Sequence, residues 1–201
     1  MDQKSTDGIN NFFALRTTAM LEDLTQAPSS MSTNARTANV ALTDFPTSCM
    51  TRAQVLWVQR LVLTGQDVVR YGIRDVDVWL GGNSPQTAVF TPLPYAQIID
   101  NLDSLIKSWV DHYETLREQD HEVIASAVAT FHYEFLRIHP FLDGNGRVAR
   151  ALLRQQMLEL LGVDAYNIFA DKPTEYYKSL QAANNDNLKP LIELIEGSFA
   201  K

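Results

Sequence analysis

The chain has 201 residues, 45% of them hydrophobic and 20% charged, with a formal net charge of -7 and a pI near 5.0. That length suffices for one domain with a real core, and the acidic balance argues against a general nucleic-acid binder, which would be basic. A single cysteine, Cys49, excludes an internal disulfide and a cysteine-built metal site, while the polar start Met1-Asp2-Gln3-Lys4-Ser5 and the absence of a spanning apolar run lead us to expect a cytoplasmic protein with no membrane partner.

Residues 1–50 carry the weakest signal. Phe12, Phe13, Leu15, Met20, Leu21 and Leu24 suit a short helix, Ala27 to Asn34 reads as a loop rich in breakers, and a second short helix is placed over residues 35–42. The expectation here is an N-terminal extension of helix and loop, packed as a collar on a main domain that occupies residues 51–201. Thr51-Arg52-Ala53-Gln54 has the spacing of a capping box. Val55, Leu56, Val58, Leu61 and Val62 behind it predict a helix, which Gly65 and Gly72 punctuate.

From Arg74 the period changes. Val76, Val78 and Leu80 alternate with Asp75, Asp77 and Trp79, which is strand spacing. Gly81-Gly82-Asn83-Ser84-Pro85 is a turn cluster, residues 87–91 form a return strand, and Pro92 and Pro94 end it. This predicts a β-hairpin over residues 76–91 in an otherwise helical chain; the pattern alone suits a surface decoration as well as a working part. Ile98, Leu102, Leu105, Ile106, Trp109 and Tyr113 then recur at helical spacing and read as core. Arg117 to Glu122 is a charged connector with a solvated His121. A long helix follows, with Val123, Ile124, Ala127, Val128, Phe131, Phe135 and Ile138 on its apolar side. His132 on that helix reads as packed or hydrogen-bonded, because no His or Cys set has zinc spacing.

The next stretch is His139-Pro140-Phe141-Leu142-Asp143-Gly144-Asn145-Gly146-Arg147-Val148-Ala149-Arg150. Pro140 stops the incoming helix and holds His139 at its end. Gly144 and Gly146 permit unusual backbone conformations and close ligand approach. Successive N–H groups there form a nest for an anion, and the following helix aims its positive end at the same point. Arg147 and Arg150 share one face of that helix, where two guanidinium forks suit phosphate oxygens. Asp143 is a hard oxygen ligand beside the cradle, as Mg²⁺ requires when it is shared with substrate phosphates. Beyond it, Val148, Leu152, Leu153, Met157, Leu160 and Leu161 continue a helical face that Gly162 caps. Asp171 before Pro173 marks another helix start. Tyr176 and Tyr177 suit half-buried packing as well as ligand contact, and Pro190 opens the last helix.

The stretch from His139 to Arg150 resembles the signature of the Fic family, His-Pro-Phe-x-Asp/Glu-Gly-Asn-Gly-Arg-x-x-Arg, at every fixed position. It does not resemble the Doc branch, which alters the Gly-Asn-Gly-Arg segment. The resemblance covers roughly residues 51–199. It implies an all-α helical bundle with one β-hairpin flap over the active-site loop. Gly72-x-Arg74, Val78-Trp79-Leu80-Gly81-Gly82 and Ala88-x-Phe90-x-Pro92-x-Pro94 are similar to the family's flap and the proline run after it. In the family the flap covers the nucleotide and holds the target protein as an added strand. Leu93 stands where a further proline is common. Tyr176, Tyr177 and Asn184 resemble the residues that approach base and ribose.

The implied activity is a protein adenylyltransferase, moving AMP from ATP to a Ser, Thr or Tyr hydroxyl of a target protein. His139 is the expected general base and Asp143 the expected Mg²⁺ ligand. The backbone at Gly144, Asn145 and Gly146 would neutralise charge on the attacked phosphate, and Arg147 and Arg150 would grip the pyrophosphate. Val78, Trp79, Leu80 and Gly81 complete the expected nucleotide site. Three alternatives stay open: another donor giving UMP, GMP or phosphocholine transfer; removal of AMP from a target; and an inactive nucleotide-binding adaptor. Many family members carry an inhibitory Ser/Thr-x-x-x-Glu-Gly/Asn helix. Glu196-Gly197 has Ile192 where Ser or Thr belongs, and Glu22-Asp23 has Thr18 in place but no Gly or Asn. The expectation is a separate small antitoxin-like inhibitor, or none.

Overall fold

The structure, a computed structural model, describes residues 46–64, 70–165 and 172–198. The N-terminal helices expected before residue 46, Gly65, Asp171 and the candidate Glu22 lie outside the described residues. Six α-helices are present among them: α1 Arg52–Leu63, α2 Ile98–Leu116, α3 His121–Ile138, α4 Asn145–Leu161, α5 Pro173–Ala183 and α6 Lys189–Glu196. Short 3-10 turns occupy Thr47–Cys49, Pro85–Thr87 and Tyr95–Gln97. No described helix is long and apolar enough to cross a membrane.

The start of α1 follows its sequence. The Gln54 amide donates to Thr51 Oγ1 at 3.3 Å, and the Thr51 amide donates to Gln54 Oε1 at 2.7 Å, closing the capping box. Helix α3 lies at the centre, packed on α2, α4 and α6; α1 lies against α4, and α5 against α6. Its buried stripe is Ile124, Val128, Phe131, His132, Phe135 and Ile138. Two expectations shift here. The helix begins at His121, capped by Asp120, so the charged connector is shorter than its composition suggests. Val123 in the first turn, expected on the apolar side, is exposed. Helix α4 ends at Gly162, whose φ of 66° and N–H bond to the Leu158 carbonyl form the expected left-handed cap.

The predicted hairpin is where sequence and structure part. Residues 76–91 form no strand; a single antiparallel bridge joins Leu80 and Phe90, whose amides each donate to the other's carbonyl at 2.9 and 3.1 Å. The ladder stops for identifiable reasons. The tip is taken up by the turn Pro85–Thr87 and by Gly81 and Gly82, both at positive φ. On one arm, the Val76 carbonyl is held by the Arg74 side chain at 2.7 Å. On the other, Pro92 and Pro94 supply no N–H. Alternation of side chains survives as a pinched loop rather than as a sheet.

A second bridge, Ile73 with Phe141, ties the start of that loop to the segment between α3 and α4. The side chain of Phe141 is fully buried against Phe135, with ring centroids 6.1 Å apart. Burying such a ring contributes about 1.5–3 kcal/mol, which anchors the loop that carries the polar residues.

Candidate active site

Helix α3 ends at His139, which adopts the left-handed conformation with φ 50° and ψ 61°. Pro140 disfavours the helical conformation at the residue before it, and leaving the helix there turns the imidazole out of the α3 stripe. A non-glycine residue in this region costs about 1–2 kcal/mol, offset here by the surroundings. Nδ1 lies 3.3 Å from the Leu136 carbonyl. A carbonyl only accepts, so Nδ1 carries the proton and Nε2 presents a lone pair. Burial, then the neighbouring Arg74 guanidinium, push the imidazole pKa down to about 4, against the opposing Asp143 carboxylate. The ring is thus neutral well below pH 7.

Arg74 is the residue that sequence reasoning undervalued. It is 2% exposed. Nε donates to the His139 carbonyl at 2.8 Å, Nη1 to Val76 and Nη2 to Leu93 and, at 3.4 Å, to Ile138. A cation thus caps the negative end of α3 and holds both arms of the pinched loop. Its amide also donates to the Pro140 carbonyl at 2.9 Å. Gln59 of α1, fully buried, was read only as part of a helix. It joins Asp143 to Gly72: Nε2 donates to the Asp143 carbonyl at 3.2 Å, and Oε1 accepts from the Gly72 amide at 2.9 Å. A polar residue on an apolar face was the available signal for both.

The phosphate-loop candidates divide into scaffold and cradle. Gly144 is the N-cap of α4 at φ 89°, and an added Cβ would meet Leu63 at 3.3 Å, so both conformation and space call for glycine. Gly146 differs from expectation: its backbone is not left-handed. It is helical, and a Cβ there would lie 3.2 Å from Nη1 of Arg150, so it gives that guanidinium room. The Asn145 side chain is 3% exposed and faces inward, accepting from the Phe141 amide at 2.9 Å and donating to the Phe141 carbonyl at 2.8 Å. It clamps the loop; only its backbone can meet an anion. The first intrahelical bond of α4 runs from Val148 to the Gly144 carbonyl at 2.8 Å, so the amides before it face the cradle.

Asp143 Oδ1 accepts from the Gly144 amide at 2.7 Å and from Arg147 Nη2 at 3.1 Å. Arg147 also donates to the Val62 carbonyl at 3.2 Å, and both side chains are less than one-fifth exposed. Arg147 is therefore pinned to Asp143 and α1. Arg150, one turn on, lies beside Gly146. Among the described residues no carboxylate pairs with it. No group of three ligating side chains occurs among the described residues. A lone carboxylate beside an amide cradle fits Mg²⁺ shared with phosphates better than a protein cage.

The remaining expected contacts scatter. Tyr176, predicted to approach the nucleotide, is instead 2% exposed, with its hydroxyl 2.9 Å from His132 Nε2. Tyr177 is half-buried beside it, with ring centroids 5.6 Å apart. Asn184 caps α5 and accepts from the Tyr133 hydroxyl at 3.2 Å. Val78 is buried, while Trp79, Leu80 and Gly81 are half-buried along the pinched loop.

Residues 49–157 match the family model described as the Fic/DOC family. Protein adenylyltransferase fic-1 of Caenorhabditis elegans is 32% identical over 142 residues, covering 70% of this chain and 25% of that protein. Protein adenylyltransferase Fic of Drosophila melanogaster is 31% identical over 147 residues, covering 73% and 27%. The chain thus spans about a quarter of the length of these curated relatives. Among solved structures, a Fic family protein from Desulfovibrio desulfuricans G20 aligns with a TM-score of 0.66 at 19% identity, covering 96% of this chain and 62% of that one. The BepC protein of Bartonella tribocorum, with bound AMPPNP, aligns with a TM-score of 0.59 at 17% identity, covering 84% of each. These two likenesses concern the fold.

Proposed function

The chain belongs to the Fic/DOC family, and from that membership we propose that it is a protein adenylyltransferase that moves AMP from ATP to a side-chain hydroxyl of a target protein. The observation that carries this reading is a neutral imidazole, His139, fixed with Nε2 available beside an amide cradle at the start of α4. The names of the relatives support the same chemistry.

In this reading the triphosphate lies on the amides at the start of α4, with Arg150 on the departing phosphates. The target hydroxyl oxygen attacks the α-phosphorus, its proton passes to His139 Nε2, and the bond to pyrophosphate breaks. A base with a pKa near 4 is deprotonated at neutral pH. The anionic triphosphate beside it favours the protonated imidazole and so raises that pKa toward a useful range. Asp143 would hold Mg²⁺, which supplies charge neutralisation on the phosphates when bound. Arg147 orients the Asp143 carboxylate through their 3.1 Å contact, and its neighbourhood to the phosphates adds positive potential. Tyr177 and Asn184 border the base and ribose.

The loop 76–91 would receive the target. Val76 and Val89 are 36% and 68% exposed along it, and an edge limited to one bridge leaves backbone groups for an added strand. Neither Glu196-Gly197 nor Glu22-Asp23 completes the inhibitory pattern, which supports an inhibitor supplied by a separate small protein or no inhibitor at all. The proposal is tested by incubating the chain with labelled ATP, Mg²⁺ and a lysate and measuring the mass added to labelled bands. Addition of AMP supports it. Addition of UMP, GMP or phosphocholine from the matching donor, or loss of AMP from a premodified target, replaces it.

A further inference from the structure

Gln59 is the polar residue on the buried face of α1, among Val55, Val58, Val62 and Leu63, and the reaction described above gives it no task. A buried side-chain amide is costly unless its polar atoms find partners. Here the partners are backbone groups outside α1. A carbonyl only accepts and a backbone N–H only donates, so Nε2 faces the Asp143 carbonyl, at 3.2 Å, and Oε1 the Gly72 amide, at 2.9 Å. The side-chain amide is thus fixed at both ends. The carbonyl it holds belongs to the peptide unit between Asp143 and Gly144. The N–H of that same unit donates to Asp143 Oδ1 at 2.7 Å. A peptide unit is planar, so holding its carbonyl fixes the direction of its N–H, and with it the oxygen that the N–H binds. Helix α1 supports the same place twice more. Leu63 lies 3.3 Å from a Cβ placed on Gly144. Arg147 donates both to the Val62 carbonyl, at 3.2 Å, and to Asp143 Oδ1, at 3.1 Å.

We infer that Gln59 is a positioning residue that sets the direction of the Asp143 carboxylate, and through it the Mg²⁺-dependent part of nucleotide binding. This rests on the reading of Asp143 as the Mg²⁺ ligand. Mg²⁺ demands near-ideal octahedral geometry and gives up its waters reluctantly. A carboxylate already aimed by its surroundings binds such an ion without the cost of being ordered at that moment. The other end of Gln59 matters for the same reason. Gly72 leads into the segment whose Arg74 amide donates to the Pro140 carbonyl at 2.9 Å and whose Ile73 bridges to Phe141. The amide that aims Asp143 is therefore itself braced by the chain that frames the loop. A glutamine that only filled space would serve the nucleotide equally with and without the metal, whereas one that aims the carboxylate shows itself only when Mg²⁺ is present.

The experiment measures ATP affinity by calorimetry in the full chain, once with Mg²⁺ and once with EDTA, and takes the gain that Mg²⁺ gives. The proteins compared are wild type, Gln59→Met, Asp143→Ala and the double variant. Gln59→Met keeps much the same shape and removes both hydrogen bonds. It should lower the gain from Mg²⁺ about three- to tenfold, the range of one lost hydrogen bond, and leave affinity in EDTA within about twofold. It should cause no further loss of that gain when Asp143 is already alanine. If Gln59→Met does not fold, Gln59→Asn decides, since its shorter side chain cannot span both partners. A wild-type gain from Mg²⁺, even with a lowered Tm, overturns the inference. So does an equal loss of affinity in Mg²⁺ and in EDTA, which would make Gln59 a support of the whole cradle and leave the reading of Asp143 intact. If Asp143→Ala keeps the wild-type gain, that reading fails and this role of Gln59 with it.

Discussion

Arg74 Nε donates to the backbone carbonyl of His139 at 2.8 Å, so the residue before the pinched loop holds the end of the helix that presents the base. The same guanidinium reaches Val76 and Leu93, on the two arms of that loop. One side chain thus joins the segment proposed to receive the target to the segment proposed to do the chemistry.

Removing it should be costly. Arg74→Ala leaves four buried or half-buried carbonyls without their donor, and each lost charged hydrogen bond is worth about 1.5–3 kcal/mol. Some carbonyls will find water, so a net loss of about 3 kcal/mol is expected, lowering Tm by roughly 6–12 °C for a domain of this size. Arg74→Lys should recover only part of this, since a single ammonium cannot span those acceptors. Thermal denaturation of the three proteins checks it; unchanged stability in Arg74→Ala would contradict the assigned role.

Acid should act through two imidazoles, His132, fully buried, and His139, half-buried. His132 and His139 have folded pKa values near 3 and 4, both depressed from 6.5. The unfolded chain therefore binds more protons between those values, and stability falls as pH drops. The contribution is full above about pH 6.5 and is lost progressively toward pH 4. Tm measured from pH 7 to 4 should decline with a slope that is shallower in His139→Gln. An identical slope in that variant would mean His139 titrates normally in the folded protein.

Asp143→Ala should reduce Mg²⁺-dependent ATP binding and turnover together, by about tenfold or more in affinity, because it removes the proposed Mg²⁺ ligand and the carboxylate that Arg147 meets. Titration with ATP in the presence of Mg²⁺ and then of EDTA makes the comparison. Equal responses to Mg²⁺ in wild type and variant would show that the metal binds elsewhere.

The exposed edge at Val89 gives a test of target binding that spares the core. Val89→Asp should lower modification of a protein target at least several-fold and leave ATP affinity within about twofold. Equal loss of both, in parallel transfer and calorimetric assays, would assign residues 76–91 to the nucleotide alone.

How much of this was legible beforehand depends on the kind of signal. Helices α1 to α4 follow from apolar spacing, the Thr51–Gln54 box and the Gly162 cap, and α5 and α6 from Pro173 and Pro190 near their starts, all of them local. The cradle from His139 to Arg150 is also local, since its members are contiguous. The hairpin was misread because alternation reports which side chains share a face, whereas a ladder needs backbone donors. Pro92 and Pro94 lack those donors, and the Arg74 side chain takes up the Val76 carbonyl, an acceptor the ladder would need. The pairings of Arg74 with the carbonyls of His139 and Leu93, of Gln59 with Asp143, and of His132 with Tyr176 join residues far apart in sequence. No period or spacing encodes them. Tyr176 was assigned to the nucleotide from the family resemblance, and its burial against His132 and Tyr177 is a tertiary feature that no local spacing encodes.

The most direct test of the account separates base from cradle. His139 precedes the loop proposed to hold phosphate and has Nδ1 engaged with the Leu136 carbonyl, whereas Arg150 lies beside Gly146 at the start of α4. His139→Ala should bind ATP with near-native affinity yet lose transfer by at least about 10²- to 10⁴-fold, while Arg150→Ala should lose about tenfold or more in affinity and also transfer poorly. Calorimetry with ATP and Mg²⁺, paired with a transfer assay on the same preparations, measures both quantities. The account predicts that dissociation between the two variants; near-native transfer by His139→Ala would contradict it.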